Sequence, residues 1–272
     1  MKLYQCLFEG NPCYKAGKTI QPQGIVVHST AKDNRALKRY VQPTYQQTNH
    51  MAMLLPKQEH LTRYDALQLL GTNVNQNDWN RVVTPGKCVH AIIGTMFDGS
   101  IATWQTLPWD MRCWGCGSGE NGSYNNSHIQ FEICEDKGDG IYLAKVYREA
   151  AELCAYLCNL YGLPVDAIRS HAEANRDGYA TNHADPDHWL KLFGLTMDGF
   201  RYDVQRLLDG KAWKEVADVV YNTIAELPEY ARPTIQKLID LAYLKGNSNG
   251  LDLSKDMVRI LVILDRAGVF DQ

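Results

Sequence analysis

The chain lacks any apolar run long enough to span a bilayer. It also lacks a secretory core, because the opening Met1-Lys2-Leu3-Tyr4-Gln5-Cys6-Leu7-Phe8-Glu9 is short and ends on a carboxylate. Neither membrane insertion nor export by a leader is therefore expected. Synthesis in a bacterial cytoplasm follows, and any work outside the cell needs a separate route of release. An excess of charge of one sign is missing too. Lys and Arg number 28 against 31 Asp and Glu, a net charge of -3, which gives no basis for nucleic acid or an anionic membrane as the main partner. The basic stretch from Lys32 to Arg39 is short and interrupted and reads as solvated surface. Cysteines are present, eight of them, but no second Cys-x-x-Cys pair follows Cys113-Trp114-Gly115-Cys116. Half of a zinc-ribbon site without its other half points away from structural metal, and without a leader the thiols are expected to be reduced. Cys154 and Cys158 lie four apart on an apolar helix face, where free cysteine behaves as a small hydrophobe.

What remains is an ordinary globular composition, 45% apolar and 22% charged over 272 residues, enough for one large domain or two smaller ones. Gly24 to His28 reads as a buried β-branched strand. Val89 to Met96 and Ser100 to Gln105 read as two strands joined at Phe97-Asp98-Gly99, where the Asp-Gly pair marks a hairpin. His128 to Cys134 alternates, with Ile129, Phe131 and Ile133 on one face and His128, Gln130, Glu132 and Cys134 on the other. Leu143 to Tyr161 has the spacing of an amphipathic helix that ends at Gly162 and Pro164. Residues 106–127, rich in Gly, Asn and Ser, predict a long loop of the kind that often carries function. Strands bracketed by helices give an α/β fold: a mixed central β-sheet flanked by helices.

Three separated pieces of sequence carry the chemistry: Ile25-Val26-Val27-His28-Ser29-Thr30, His128-Ile129-Gln130-Phe131-Glu132-Ile133-Cys134, and Ser170-His171 followed by His183-Ala184-Asp185-Pro186. They offer imidazoles and two carboxylates, the donors of a catalytic zinc site that keeps one position open and a base nearby. Together with Asn125-Asn126-Ser127, Glu135-Asp136 and Ala172-Glu173, these segments resemble the type-2 N-acetylmuramoyl-L-alanine amidases of the peptidoglycan-recognition type. The likeness is strongest to phage and prophage endolysins of Gram-positive bacteria and runs from about Gly24 to about Arg201. The resemblance implies Zn2+ held by His28, His171 and Asp185, with Glu132 as general base. It implies hydrolysis of the bond between N-acetylmuramic acid and L-alanine in peptidoglycan, at the cell wall. The rival readings are a non-catalytic peptidoglycan-binding module and a zinc peptidase cutting within the stem peptide.

The sequence departs from that family at several positions. Relatives carry a lysine where this chain has His183, which leaves His183 either as oxyanion stabiliser or as metal ligand in place of Asp185. Val89 stands where many relatives have tyrosine, and Trp114-Gly115-Cys116-Gly117 where many read Trp-His-Ala-Gly. His90, Trp79 and Trp114 are the candidate substrate-groove residues. Near Asp209-Gly210-Lys211 the character changes, which divides the chain into a catalytic domain, 1–210, and a small C-terminal helical module, 211–272. From Val216 on, that module offers a helix with Ile235, Leu238, Ile239 and Ala242. A turn at residues 245–250 follows, then a helix capped by Ser254 with Asp256 in its first turn, carrying Met257, Ile260, Leu261 and Leu264 and stopping at Gly268. Glu229-Tyr230-Ala231-Arg232-Pro233-Thr234-Ile235 with Met257-Val258-Arg259 is similar to one unit of an S-layer homology domain, although Ile260 replaces the usual acidic residue. That similarity implies a cell-wall polymer as partner, alongside a dimerising or a plain structural role.

Overall fold

The computed structural model describes residues 1–82, 86–211, 221–248, 250–266 and 268–270, and forms two compact units, Met1–Ala212 and Trp213–Gln272. The first is built on eight strands: β1 (Leu3–Cys6), β2 (Gly24–Asp33), β3 (Met51–Leu55), β4 (Glu59–His60), β5 (Ala91–Thr95), β6 (Ile101–Gln105), β7 (His128–Glu135) and β8 (Ile168–Ser170). Its helices are α1 (Pro12–Lys15), α2 (Arg63–Leu70), α3 (Gly140–Tyr161), α4 (His171–Arg176), α5 (Asp187–Leu190) and α6 (Met197–Leu208). The strands form one mixed sheet in the order β4-β3-β1-β6-β5-β7-β2-β8. Strands β7, β2 and β8 run parallel at one end of it. The β5–β6 hairpin turns where Asp98-Gly99 predicts: Gly99 has φ +84°, and Asp98 Oδ1 accepts from the Ser100 amide at 2.9 Å.

Helix α3 begins at Asp139, whose carboxylate accepts from the Tyr142 amide, and ends on Gly162 in the left-handed conformation. Its apolar face, including Val146, Leu153, Cys154, Leu157 and Cys158, packs on β5, β6 and β7 and against α6. That side receives Ile129, Phe131 and Ile133, all nearly or fully buried. Burying a side chain the size of Phe131 contributes about 1.5–3 kcal/mol. The opposite face of β7, with Gln130, Glu132 and Cys134, is left for polar chemistry and for a second core around Leu37, Met51, Ile92 and Trp104. All eight cysteines are buried and unpaired, and burial pushes the thiols of Cys113, Cys134 and Cys154 well above the usual range.

The second unit holds α7 (Arg232–Asp240) and α8 (Lys255–Arg266). Its core is Tyr221, Leu227, Ala231, Ile235, Leu238, Leu253, Val258 and Val262. The Ser254 hydroxyl caps α8 by accepting from the Met257 amide at 3.2 Å. The face of α8 that packs differs from the expected one. Val258, Val262 and part of Leu261 turn inward, while Met257, Ile260 and Leu264 are exposed. Val216 and the side chains of Asp256 and Arg259 lie outside the described residues. No helix among the described residues is long and apolar enough to cross a membrane.

Candidate active site

Three neighbouring strands deliver the site. His28 and Glu132 are register partners across the parallel β2–β7 pair, two residues along from the Val26–Gln130 pair, so Gln130, Glu132 and His28 share one face of the sheet. Strand β8 pairs on the other side of β2 and ends at Ser170. There the chain turns into α4 through a capping box: the Ser170 hydroxyl accepts from the Glu173 amide, and Glu173 accepts from the Ser170 amide. Arg201 grips Glu173 with two bonds of 2.8 and 2.9 Å, which locks that turn. His171 is the first residue of the helix and projects from this fixed corner. Asp185 arrives from the segment before α5, where its carbonyl accepts from the Ala172 amide at 3.3 Å.

The three side chains converge in a buried cluster. His28 Nδ1 lies 3.0 Å from His171 Nδ1 and 3.1 Å from Asp185 Oδ2, and His171 Nδ1 lies 3.4 Å from Asp185 Oδ1. Two imidazole nitrogens so close, backed by a carboxylate, must share a cation, either a proton or a metal. Donor atoms around a tetrahedral zinc with bonds of about 2.0–2.1 Å sit about 3.3 Å from one another, so the donor set and its spacing fit that ion. Burial alone would raise the Asp185 pKa, but hydrogen bonds from His171 and His28 outweigh it and hold the carboxyl far below the usual range. Glu132 is the opposite case. Burial first, and the Asp185 charge second, hold its carboxyl well above the usual range, and its Oε2 is sealed from solvent without a hydrogen-bond partner.

His183 stands outside the cluster. Its side chain is 63% exposed, its ring stacks on His171 at 4.8 Å, and its Nδ1 is 4.0 Å from Asp185 Oδ1. His90 is a correction. Expected on a groove, it is wholly buried, with Nε2 donating to the Met111 carbonyl at 2.7 Å and Nδ1 accepting from the Gln130 amide at 2.9 Å. Both ring nitrogens are spent inside the fold, and burial pushes its pKa down to about 4. Trp79 and Trp114 are half-buried and pack on the core around Leu37, Trp79 edge-on to the Tyr40 ring.

Several contacts around the histidines were not singled out from sequence. Gln130 Oε1 lies 3.0 Å from His28 Nε2, and Gln130 Nε2 donates to Asn125 Oδ1 at 3.0 Å. Thr181 Oγ1 lies 3.3 Å from His171 Nε2 and donates to the Cys116 carbonyl at 3.1 Å. The one signal for Gln130 was its place on the Glu132 face of an alternating strand.

A family described as Amidase_2, N-acetylmuramoyl-L-alanine amidase, matches residues 18–188. The chain is similar to the N-acetylmuramoyl-L-alanine amidase CwlA of a Bacillus species, 31% identical over 71 residues, which are 26% of this chain and 28% of that protein. It is also similar to a probable N-acetylmuramoyl-L-alanine amidase of Bacillus licheniformis, 36% identical over 87 residues, 32% of this chain and 22% of that one. The matched stretches thus span less than a third of either relative. Among solved structures, the Staphylococcus aureus hydrolase AmiA in complex with its ligand aligns with TM-score 0.48 at 20% identity, covering 78% of this chain and 88% of that one. PlyL aligns with TM-score 0.46 at 20% identity, covering 75% and 97%.

Proposed function

The chain belongs to the Amidase_2 family of N-acetylmuramoyl-L-alanine amidases, and from that membership we propose that it hydrolyses the amide between N-acetylmuramic acid and the L-alanine of the peptide stem, with Zn2+ held by His28, His171 and Asp185. The observation that carries this reading is the convergence of those three donors beside the unpartnered, buried carboxyl oxygen of Glu132. Bound there, zinc supplies a Lewis acid that polarises the amide carbonyl and acidifies water. With a cation bound beside it and offsetting the Asp185 charge, Glu132 would be ionised, take the proton from the attacking water and return it to the departing nitrogen. His183, exposed at the rim beside His171, donates a hydrogen bond to the oxygen as it becomes negative. Peptidoglycan is the substrate, and the physiological setting is wall lysis of the endolysin kind, after release from the cell that makes the protein. The C-terminal unit serves as a wall-polymer anchor.

The test is metal dependence of bond cleavage. Protein stripped by a chelator should release no new amino termini from purified peptidoglycan, and added Zn2+ should restore release. Undiminished activity in metal-free protein would contradict the proposal.

A further inference from the structure

The loop from Gly115 to Asn125 reaches behind both histidines, and its contacts determine which ring nitrogen each one turns toward the cluster. Asn125 Oδ1 accepts the backbone amides of Gly115 and Cys116, each at 3.1 Å, so that atom is the amide oxygen. Gln130 must then present its NH2 group to Asn125, which turns its Oε1 toward His28 Nε2. An oxygen 3.0 Å from a ring nitrogen makes that nitrogen the protonated one. His28 Nδ1 shares its own proton with Asp185 Oδ2 at 3.1 Å, and because Gln130 keeps the proton on Nε2, the proton a metal ion displaces is the one on Nδ1. On the other histidine, Thr181 spends its hydroxyl proton on the Cys116 carbonyl and accepts from His171 Nε2, which frees His171 Nδ1 in the same sense.

Gly115 makes this arrangement sterically feasible. It is not among the glycines in the left-handed region, so backbone freedom does not explain it. Space does: a Cβ built at position 115 would lie 2.3 Å from Gln130 Oε1 and 3.2 Å from its Cδ. Any side chain there displaces the oxygen that holds His28.

We propose that Gln130 and Gly115 form a matched pair of positioning residues: Gln130, oriented by Asn125, fixes the His28 tautomer that presents Nδ1 to the metal, and Gly115 keeps the space Gln130 needs. The proposal rests on the zinc reading above. Outer partners of this kind typically alter metal affinity 10–100-fold when removed.

The experiment measures zinc affinity of the full chain by competition with a chromophoric chelator. The proteins are the parent, Gln130→Leu, Gly115→Ala, Gln130→Ala and the Gly115→Ala/Gln130→Ala double variant. Absorption spectra of the Co2+-substituted proteins and unfolding midpoints of the metal-free proteins accompany it. Gln130→Leu and Gly115→Ala should each weaken zinc binding about 10–100-fold and alter the Co2+ ligand-field bands. In the double variant the alanine at 115 should add nothing to Gln130→Ala, because the oxygen it displaces is already gone. Parent-like zinc affinity in Gln130→Leu, or an additive loss in the double variant, would overturn the pairing. So would a lowered midpoint with unchanged affinity and spectrum, the pattern of a merely structural role. A parent protein that binds no zinc would instead sink the metal reading itself.

Discussion

His183 stacks on His171 with ring centroids 4.8 Å apart and planes 24° from parallel, so it sits against the cluster without joining it. This arrangement separates the two roles open to His183. His183→Lys should keep zinc content near one per chain and retain appreciable activity, because a lysine can also face a developing oxyanion. Asp185→Asn should lower zinc affinity, since a neutral amide is a poor zinc ligand. Metal analysis of both variants checks this. Loss of zinc in His183→Lys with retention in Asp185→Asn would exchange the two assignments.

Glu132→Gln keeps the side-chain volume but cannot accept a proton from the attacking water. Zinc content and substrate binding should persist while kcat falls by roughly 10²–10⁴. Steady-state kinetics on a soluble muropeptide read this out, and a parent-like kcat would remove Glu132 from the base role.

Stability of the first unit should depend on pH through two buried histidines. Burial, aided by the Arg169 charge, pushes His128 down to about 4, and burial does the same to His90. Both stay neutral in the fold, whereas an unfolded histidine takes a proton near 6.5. The unfolded state therefore binds more protons between about 4 and about 6.5. Stability is complete above that window and is lost as pH falls through it, by about 1.4 kcal/mol per pH unit for each histidine. Denaturant unfolding at several pH values should show a shallower decline in His128→Gln than in the parent. Parallel curves would contradict the assignment.

The strands and the long helix were legible because their signals are local. The β7 alternation, the Asp98-Gly99 turn and the Gly162 stop need only neighbouring residues. Much of the rest depends on distant partners. Strand β1 has four residues and gains its place only by pairing with β3 and β6, far along the chain. His90 in Cys88-Val89-His90-Ala91-Ile92 could face a groove or the core, and the Met111 carbonyl and Gln130 amide decide for the core. The exposed face of α8 has the same origin: two apolar stripes compete, and the fold buries the one with Val258 and Val262. At the site, the residue types of the cluster were visible, but the Asn125–Gln130–His28 chain was not, because His28 meets Gln130 only once β2 pairs with β7, far along the chain.

Removing residues 213–272 should leave turnover of small soluble muropeptides largely intact, since the cluster lies wholly within the first unit. Lysis of intact walls should weaken, because a tethered anchor raises local concentration without touching chemistry. Equal lysis by both proteins at several salt concentrations would end the anchoring role.

The most direct test of the account is mass spectrometry of peptidoglycan digested by the zinc-loaded protein. The predicted products are free stem peptides with an L-alanine amino terminus and glycan strands that have gained no reducing ends. New reducing ends, or cuts between stem residues, would contradict amidase action at the N-acetylmuramoyl-L-alanine bond.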